Sequence, residues 1–231
     1  WRHLSEGVRV MRAKMFFHIF ARNHWYDIVH EMLRCFRKAE VPQPVYVGLA
    51  GGETEKIELK ELAKFLSVQL DVQRIPDNRF EQPTLLALWE SAKRGEADVY
   101  GYVHSKGITS ASPTYTKWRW VMAYWVIIQW RECVRKIQED QLDSIGCFYL
   151  KDWPCFGGNF WWATREWLAS LPEPKPSSDR FVFEKWVCKG DRPMKFYSFV
   201  GEEVLPYKPE TYAQLHSPHR YFLEAMDDNG D

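Results

Sequence analysis

The sequence places four residues suited to anion binding directly after an apolar strand pattern. Residues 99–103 read Val-Tyr-Gly-Tyr-Val, and they are followed by His104, Ser105, Lys106 and Gly107. A lysine offers a point charge to phosphate, a serine hydroxyl donates a hydrogen bond, and a glycine lets the backbone approach a ligand. Ligands of open α/β sheets bind outside the carboxyl ends of the strands. The run therefore predicts a site for a phosphate-bearing ligand, with an ordinary polar turn as the alternative.

A second run with chemical potential is residues 156–162, Phe-Gly-Gly-Asn-Phe-Trp-Trp. The glycines predict a tight turn that brings the amide of Asn159 into a cleft, where it can donate to and accept from vicinal hydroxyls. Trp161 or Trp162 can stack on the face of a pyranose. Two indoles packed beneath the sheet are the alternative. We expect one of them in the core and the other near the substrate.

Several carboxylates are further candidates. Arg180 and Glu184 stand at i and i+4 in a short helical pattern. They form either a surface ion pair of little energetic weight or a site in which Glu184 takes a proton from an acceptor hydroxyl. Asp77 follows the third predicted strand, where it can accept from a ribose hydroxyl or a base edge, or simply belong to a turn. Asp98 precedes the fourth strand rather than following it, which makes it a poorer metal ligand.

The composition excludes several classes of protein. The 231 residues, 45% hydrophobic and 27% charged, suit one globular domain, and most of the 12 tryptophans are expected in its core. Lys and Arg number 31, as do Asp and Glu, so no overall field attracts nucleic acid and phosphate binding has to be local. No apolar run approaches the ~20 residues of a membrane span. The five cysteines include no Cys-x-x-Cys pair, which favours a reducing, cytoplasmic setting.

Strand and helix patterns alternate through the first half of the chain. Predicted strands occupy residues 15–21, 45–50, 70–75 and 99–103, with amphipathic helical patterns between them. Strands that alternate with helices in this way are joined by right-handed crossovers into a mainly parallel sheet. The predicted fold class is therefore α/β, with a Rossmann-like central sheet flanked by helices in a single domain.

The second half is less regular. It predicts a buried helix at 115–137, a strand at 144–150, a strand-to-helix unit at 160–171, a short helix at 181–187 and a last strand at 194–200. The predicted domain covers residues 15–205. Residues 1–14 are expected to be a tail or short helix, and residues 206–231 a C-terminal extension. The start at Trp1, without a methionine, is expected of a piece of a longer polypeptide.

Three common functional motifs are missing. Ala21-Arg22-Asn23-His24 stands where a dinucleotide-binding protein would carry Gly-x-Gly-x-x-Gly after its first strand. The chain has neither a Walker A sequence nor the Gly-x-Ser-x-Gly elbow of serine hydrolases. These absences disfavour dehydrogenases, P-loop nucleotidases and serine hydrolases.

The order of these runs, from Ala21-Arg22-Asn23 through the His-Ser-Lys-Gly and Gly-Asn-Phe-Trp-Trp sequences to Arg180 and Glu184, resembles a group of glycosyltransferases. These are the GT-A-type enzymes of bacterial and large-virus polysaccharide or glycoprotein assembly, and the resemblance spans residues 15–200. It implies a GT-A-like fold, a nucleotide-sugar donor and a carbohydrate or glycoprotein acceptor. The donor residues it implies are Ala21, Asn23, Asp77, His104, Ser105, Lys106 and Gly107. The acceptor residues it implies are Gly158, Asn159, Trp161 and Arg180. Glu184 becomes the general base of an inverting direct displacement.

The resemblance leaves the cofactor open. Many GT-A enzymes carry an Asp-x-Asp metal motif after the fourth strand, and this sequence has none there. Either Lys106, with Arg119 nearby, neutralises the leaving diphosphate, or His104 and Asp98 hold a Mn²⁺ or Mg²⁺ ion. Two other function classes also stay open: a non-catalytic carbohydrate-binding module with aromatic platforms, and a Rossmann-like transferase such as a methyltransferase, which the missing glycine-rich turn disfavours.

Overall fold

The computed structural model describes residues 10–108, 112–201 and 204–214. Its first half consists of β1 (Ala13–Phe20), α1 (Trp25–Ala39), β2 (Val45–Ala50), α2 (Glu53–Phe65), β3 (Leu70–Ile75), α3 (Gln82–Arg94) and β4 (Val99–His104). This alternation of strands and helices confirms the sequence prediction. Strand β1 starts at Ala13, inside the stretch expected to be a tail. Residues 1–9 of that tail and residues 215–231 of the expected extension lie outside the described residues.

Helix α1 illustrates how apolar spacing determines the packing. Ile28, Met32 and Phe36 recur every four residues and are buried against the sheet, because side chains at this spacing share one face of a helix. The helix ends at Glu40, which adopts a left-handed conformation with φ 48°. The backbone N–H of Glu40 donates to the carbonyl of Arg37 and so caps the last turn.

The second half contains α4 (Pro113–Ala123), a π-helical turn (Tyr124–Ile128), α5 (Trp130–Glu139), β5 (Ser144–Gly146), β6 (Tyr149–Leu150), β7 (Cys155–Phe156), β8 (Trp161–Thr164), α6 (Arg165–Ser170), α7 (Phe181–Glu184), β9 (Phe196–Ser198) and α8 (Pro209–Gln214). The helix expected at 115–137 is therefore interrupted by the π-helical turn. The strand-to-helix unit, the short helix and the last strand confirm the prediction.

The central sheet has seven strands in the order β3-β2-β1-β4-β8-β5-β9. Strand β1 pairs in parallel with β2 and β4, β2 pairs in parallel with β3, and β5 in parallel with β9. Strand β8 is antiparallel to both of its neighbours, β4 and β5. The sheet is thus mainly parallel, as predicted. The carboxyl ends of β1 and β4 meet at one edge, with His18 opposite His104.

The prediction of one strand over 144–150 is wrong for the second half of that segment, where the chain departs from the central sheet. The chain leaves the sheet after Gly146, and Phe148 takes a left-handed conformation with φ 55° that turns the chain. Strand β6 then pairs only with β7, in a separate two-stranded hairpin. A positive φ at phenylalanine leaves no glycine to mark the turn in the sequence. The loop between β6 and β7 contains Trp153.

The tandem tryptophans are both in the core, which corrects the expectation that one of them is near the substrate. Trp161 and Trp162 are each 0% exposed. Successive residues of a strand point to opposite faces of the sheet. Trp161 stacks on Tyr102 on one face, with ring centroids 5.2 Å apart, and Trp162 stacks on Trp130 on the other at 5.8 Å. Each indole fills a different hydrophobic cluster.

All five cysteines are free, and four of them are buried. Among the described residues, no helix combines the length and the apolar character that a membrane crossing requires.

Candidate active site

A large cavity lies at the carboxyl ends of β1 and β4, and we refer to it as the strand-end cavity. Its volume is about 1010 Å³, at the upper end of the ~300–1,000 Å³ common for small-molecule sites. The sequence-predicted residues that line it are Asp77, His104, Ser105, Lys106, Gly107, Gly158, Arg180 and Glu184. The structure therefore brings together, around one space, residues that are up to 107 positions apart in the chain.

The turn after β4 is held by two hydrogen bonds between Ser105 and β1. The backbone N–H of Ser105 donates to the carbonyl of His18 over 2.9 Å, and the Ser105 hydroxyl oxygen accepts from the backbone N–H of Phe20 over 3.0 Å. Gly107 has φ 92°, a conformation that side-chain-bearing residues rarely adopt. The hydroxyl hydrogen of Ser105 is not used by the bond from Phe20, so it can be donated into the cavity.

Lys106 directs its ammonium into the strand-end cavity. Its Nζ lies 4.1 Å from the centroid of the Trp118 ring, a distance typical of a cation–π contact. Burial lowers the pKa of Lys106 below its ordinary value, and the negative charges of Glu184 and Glu81 oppose that shift. Within the described residues no carboxylate comes within ion-pairing distance of Lys106. An anionic ligand would therefore supply the close counter-charge.

His104 is a neutral acceptor at the floor of the cavity. Its Nε2 lies 2.8 Å from the carbonyl oxygen of Gly158. Since a carbonyl can only accept, Nε2 carries the hydrogen and Nδ1 presents a lone pair. Burial, assisted by the positive charge of Lys106, lowers the pKa of His104 to about 4. The ring is therefore uncharged at neutral pH, with Nδ1 lying 3.7 Å from Oε1 of Glu81.

Glu81 is a cavity residue that sequence reasoning missed. Its side chain is 13% exposed and lines the strand-end cavity just before α3. Oε2 accepts from the hydroxyl of Tyr102 over 2.7 Å and from Nδ2 of Asn159 over 2.6 Å. Tyr102 belongs to β4, and Asn159 belongs to the loop before β8. The only sequence signal was a glutamate shortly after a predicted strand, which many surface turns share.

Asn159 and Trp161 support the site from behind, which corrects their assignment as sugar-binding residues. Asn159 is 1% exposed and takes a left-handed conformation with φ 58°. Its Oδ1 accepts from the indole N–H of Trp161 over 2.8 Å, while its Nδ2 is bound to Glu81. Both ends of the amide are thus committed to protein partners. The Asn-Phe-Trp-Trp run positions Glu81 and does not line the cavity.

Two predicted donor residues lie beside the strand-end cavity rather than in its wall. Ala21 is 3% exposed, and its backbone N–H donates to the carbonyl of Ala50 over 2.9 Å. The Asn23 amide reaches the carbonyl of Ile108 at 3.5 Å. Both follow β1 at the correct edge of the sheet, but neither lines the cavity. Asp77 does, and it is ion-paired with Arg22.

Asp98 and Arg119 are also placed differently from the sequence interpretation. Asp98 precedes β4 and accepts from the backbone N–H of Arg12 over 2.9 Å. Since a strand rises ~3.3 Å per residue, Asp98 is roughly 20 Å from His104, and the two cannot share a metal ion. Arg119 is committed to Glu31 through two hydrogen bonds of 2.9 and 3.1 Å. Its Nη1 also donates to the carbonyl of Lys106 over 3.1 Å, so Arg119 braces the turn from the protein side.

Glu184 and Arg180 both line the strand-end cavity. Glu184 is half-buried at the end of α7. Among the described residues these two side chains form no ion pair with each other. The Arg180 guanidinium instead lies 4.8 Å from the centroid of the Phe181 ring. Glu184 is therefore a cavity carboxylate that is not ion-paired with the neighbouring Arg180.

Exposed aromatic side chains surround the mouth of the cavity. The four that line it are Phe80, Trp153, Phe181 and Tyr207, with exposed fractions of 38%, 43%, 38% and 55%. Trp153 packs edge-on against Phe181 at 5.7 Å, and the Lys185 ammonium sits 3.1 Å from the centre of the Trp153 ring. The ring is thus held in place while much of its surface stays accessible. Sequence reasoning missed all four residues because they lie in loops or near helix ends without periodicity.

A family model described as "Domain of unknown function (DUF8361)" matches residues 16–189. The chain belongs to this family. No curated protein matches it.

Two solved structures show what the DUF8361 chain resembles in three dimensions. One is the mannosyltransferase PcManGT from Pyrobaculum calidifontis in complex with GDP-Man and Mn²⁺, at TM-score 0.50 and 10% identity over 83% of this chain and 55% of that one. Another is S. aureus TarS 1-349 in complex with UDP-GlcNAc, at TM-score 0.45 and 12% identity over 80% of this chain and 58% of that one. The chain thus spans somewhat more than half the length of each. The DUF8361 chain has a GT-A-like α/β fold.

The strand end that would hold a metal ion in a GT-A-like fold has the wrong donor set in this chain. His104, Ser105 and Lys106 occupy it, and none of them is a carboxylate. In residues 10–108, 112–201 and 204–214, no three histidine, cysteine or acidic side chains are grouped so as to hold a metal ion. Divalent cations bound beside phosphates prefer carboxylate oxygens. The residues present therefore do not fit Mn²⁺ or Mg²⁺ here, and Lys106 brings a positive charge of its own.

Proposed function

We propose that the DUF8361 chain is a glycosyltransferase that moves a sugar from a nucleoside-diphosphate sugar to a carbohydrate acceptor, free or carried on a glycoprotein. The observation that carries the proposal is the partly buried ammonium of Lys106. It lies in a cavity at the carboxyl edge of a GT-A-like sheet, with Glu81 and Glu184 in the same wall. A cation and two carboxylates in one space suit a substrate with a diphosphate at one end and sugar hydroxyls at the other.

The donor diphosphate lies against the turn after β4. Lys106 provides the positive charge, and the free hydroxyl hydrogen of Ser105 provides a hydrogen bond. Negative charge grows on the leaving diphosphate in the transition state, and a preorganised ammonium in a partly desolvated cavity stabilises that charge most. Asp77, on the same side, is available to a ribose hydroxyl or a base edge.

The transfer is a direct displacement. The acceptor hydroxyl oxygen attacks the anomeric carbon, and Glu184 takes the hydroxyl proton as the new bond forms. The bond from that carbon to the diphosphate oxygen breaks, and its electron pair leaves with the diphosphate. Attack opposite to the leaving group inverts the anomeric configuration. Glu184 suits the role because it lines the same cavity as Lys106, where its negative charge acts on the Lys106 ammonium.

The acceptor lies at the aromatic mouth. Trp153 and Phe181 offer accessible ring surface near Glu184, and aromatic faces pack well against the C–H surface of a pyranose. These residues take the part that the sequence had assigned to Trp161. A non-catalytic carbohydrate-binding module would use the same rings, so the decisive measurement concerns the donor.

The test is release of nucleoside diphosphate from UDP-, GDP- and dTDP-sugars, with and without added saccharides. A transferase hydrolyses its donor slowly alone and faster with the acceptor, whereas a binding module releases none. A matching donor at ~100 times its Kd should also add about 2.7 kcal/mol of apparent stability in thermal unfolding. Lys106→Ala should abolish both signals. The control Lys117→Ala, which removes an exposed lysine of α4 outside the cavity wall, should change neither.

A further inference from the structure

Two hydrogen-bond acceptors face each other in the strand-end cavity, and no donor from the described part of the chain lies between them. Nδ1 of His104 and Oε1 of Glu81 are 3.7 Å apart. The hydrogen on His104 is on Nε2, which donates to Gly158, so Nδ1 presents a lone pair. Within the described residues, the donors to Glu81, Tyr102 and Asn159, both bind Oε2, and none binds Oε1.

Both side chains line the strand-end cavity and keep 14% and 13% exposure, so a ligand that displaces water from the cavity comes into contact with both acceptors. Each acceptor that loses water without gaining a donor is destabilised, and a charged acceptor more than a neutral one. A ligand that brings two O–H donors side by side relieves both at once. Neighbouring hydroxyls on a pyranose have a spacing comparable to that of Nδ1 and Oε1, whereas a carboxylate would face Glu81 with a like charge.

We propose that Glu81 and His104 form a recognition pair that accepts hydrogen bonds from two vicinal hydroxyls of the transferred sugar. The inference rests on the proposed function, because it takes the donor diphosphate to lie on Lys106. The sugar follows the diphosphate directly, and His104 precedes Lys106 by two positions on the same turn. The pair therefore selects donors that carry both hydroxyls over donors that lack one of them.

The substitution Glu81→Gln tests the pair with little structural change. The glutamine carbonyl can keep accepting from Tyr102 and Asn159, which turns its NH₂ group toward Nδ1 of His104. The glutamine NH₂ then donates to Nδ1 of His104, and the site for the two hydroxyls is lost. The fold is expected to persist because no buried polar group loses its partner.

The experiment compares the Kd of UDP with that of UDP-glucose, and the Kd of GDP with that of GDP-mannose, by calorimetry. In the wild-type protein the sugar should improve the affinity of the matching nucleotide by tenfold or more. In Glu81→Gln this gain should disappear while the affinity for the plain diphosphate is kept. The control Glu90→Gln, at an exposed glutamate of α3 outside the cavity wall, should keep the gain.

A second measurement needs no variant. If UDP is the matching nucleotide, UDP-3-deoxyglucose, which lacks the hydroxyl shared by both vicinal pairs of the glucose ring, should bind wild-type protein at least tenfold more weakly than UDP-glucose, and Glu81→Gln should narrow that gap. If GDP is the match, GDP-3-deoxymannose replaces it. A sugar gain that survives Glu81→Gln, or a 3-deoxy donor that binds as well as the parent hexose, would overturn this inference and leave the proposed function standing. Failure of every nucleotide to bind would instead sink the proposed function itself.

Discussion

The side-chain amide of Asn159 donates to the carboxylate of Glu81 over 2.6 Å, although the two residues are 78 positions apart in the chain. Through this bond the loop before β8 fixes a carboxylate that belongs to the segment after β3. The other end of the same amide is tied to Trp161 in the core. Packing beneath the sheet is therefore transmitted directly to the floor of the strand-end cavity.

We expect Asn159→Ala to lower both stability and sugar recognition. The change removes one donor from Glu81 and leaves the buried indole N–H of Trp161 without its acceptor, a loss of about 1–3 kcal/mol. Urea unfolding measures the loss. Asn23→Ala is the control, because Asn23 also has a positive φ, 50°, but is exposed. Equal losses in the two variants would assign the effect to backbone conformation rather than to the hydrogen bonds.

Donor binding should not require a divalent cation. Lys106 supplies the charge at the strand end, and the residues beside it do not form a carboxylate site. Calorimetric titration of the matching nucleoside-diphosphate sugar should give the same Kd in EDTA and in millimolar Mn²⁺ or Mg²⁺, within a factor of about two. A Kd that weakens tenfold on chelation and recovers with Mn²⁺ would contradict the assignment of Lys106.

The free energy of unfolding should fall between pH 6.5 and pH 4. Burial lowers the pKa of both His18 and His104 to about 4 in the folded chain. In this window the unfolded chain binds protons that the folded chain does not, so stability rises with pH and is fully present only above the unfolded pKa. Each histidine contributes up to about 1.4 kcal/mol per pH unit.

The pH effect can be separated by residue. Urea unfolding at pH 7.5 and pH 5 gives the difference in free energy for the wild-type protein and for His104→Gln. The variant should lose about half of the wild-type difference, since His18 still contributes. The same difference in both proteins would show that His104 is protonated equally in the folded and unfolded states.

Trp153→Ala should impair use of the acceptor and spare the donor. Trp153 is 43% exposed at the cavity mouth and touches Phe181 rather than the core. The loss of one stacking surface should raise the KM for a saccharide acceptor roughly tenfold, or ~1.4 kcal/mol. The donor Kd should stay the same. Phe65→Ala, which removes an 80% exposed ring from α2, is the matched control. An unchanged acceptor KM in Trp153→Ala would place the acceptor elsewhere.

The sequence was sufficient for the first half of the fold because each element there carries its own periodic signal. Strand β2 and strand β3 have the predicted bounds, and the run after β4 lies at a cavity because parallel strands end at one edge. The face on which Trp161 lies was not predictable, because both faces of this sheet are buried. Glu81 escaped notice because its function depends on partners far away in sequence, Tyr102 and Asn159.

Strand β8 lies antiparallel between β4 and β5. It thereby joins strands from the two halves of the chain into one continuous hydrogen-bonded sheet. Lys106 and Glu81 follow β4 and β3, which lie on one side of β8 in the sheet, while Trp153 and Glu184 belong to segments that come after β5 in the chain. The halves cannot hinge apart without breaking backbone ladders. Admission of a substrate must therefore depend on the β6–β7 hairpin and the segment of Tyr207, and ligand-induced protection from hydrogen exchange should be concentrated there.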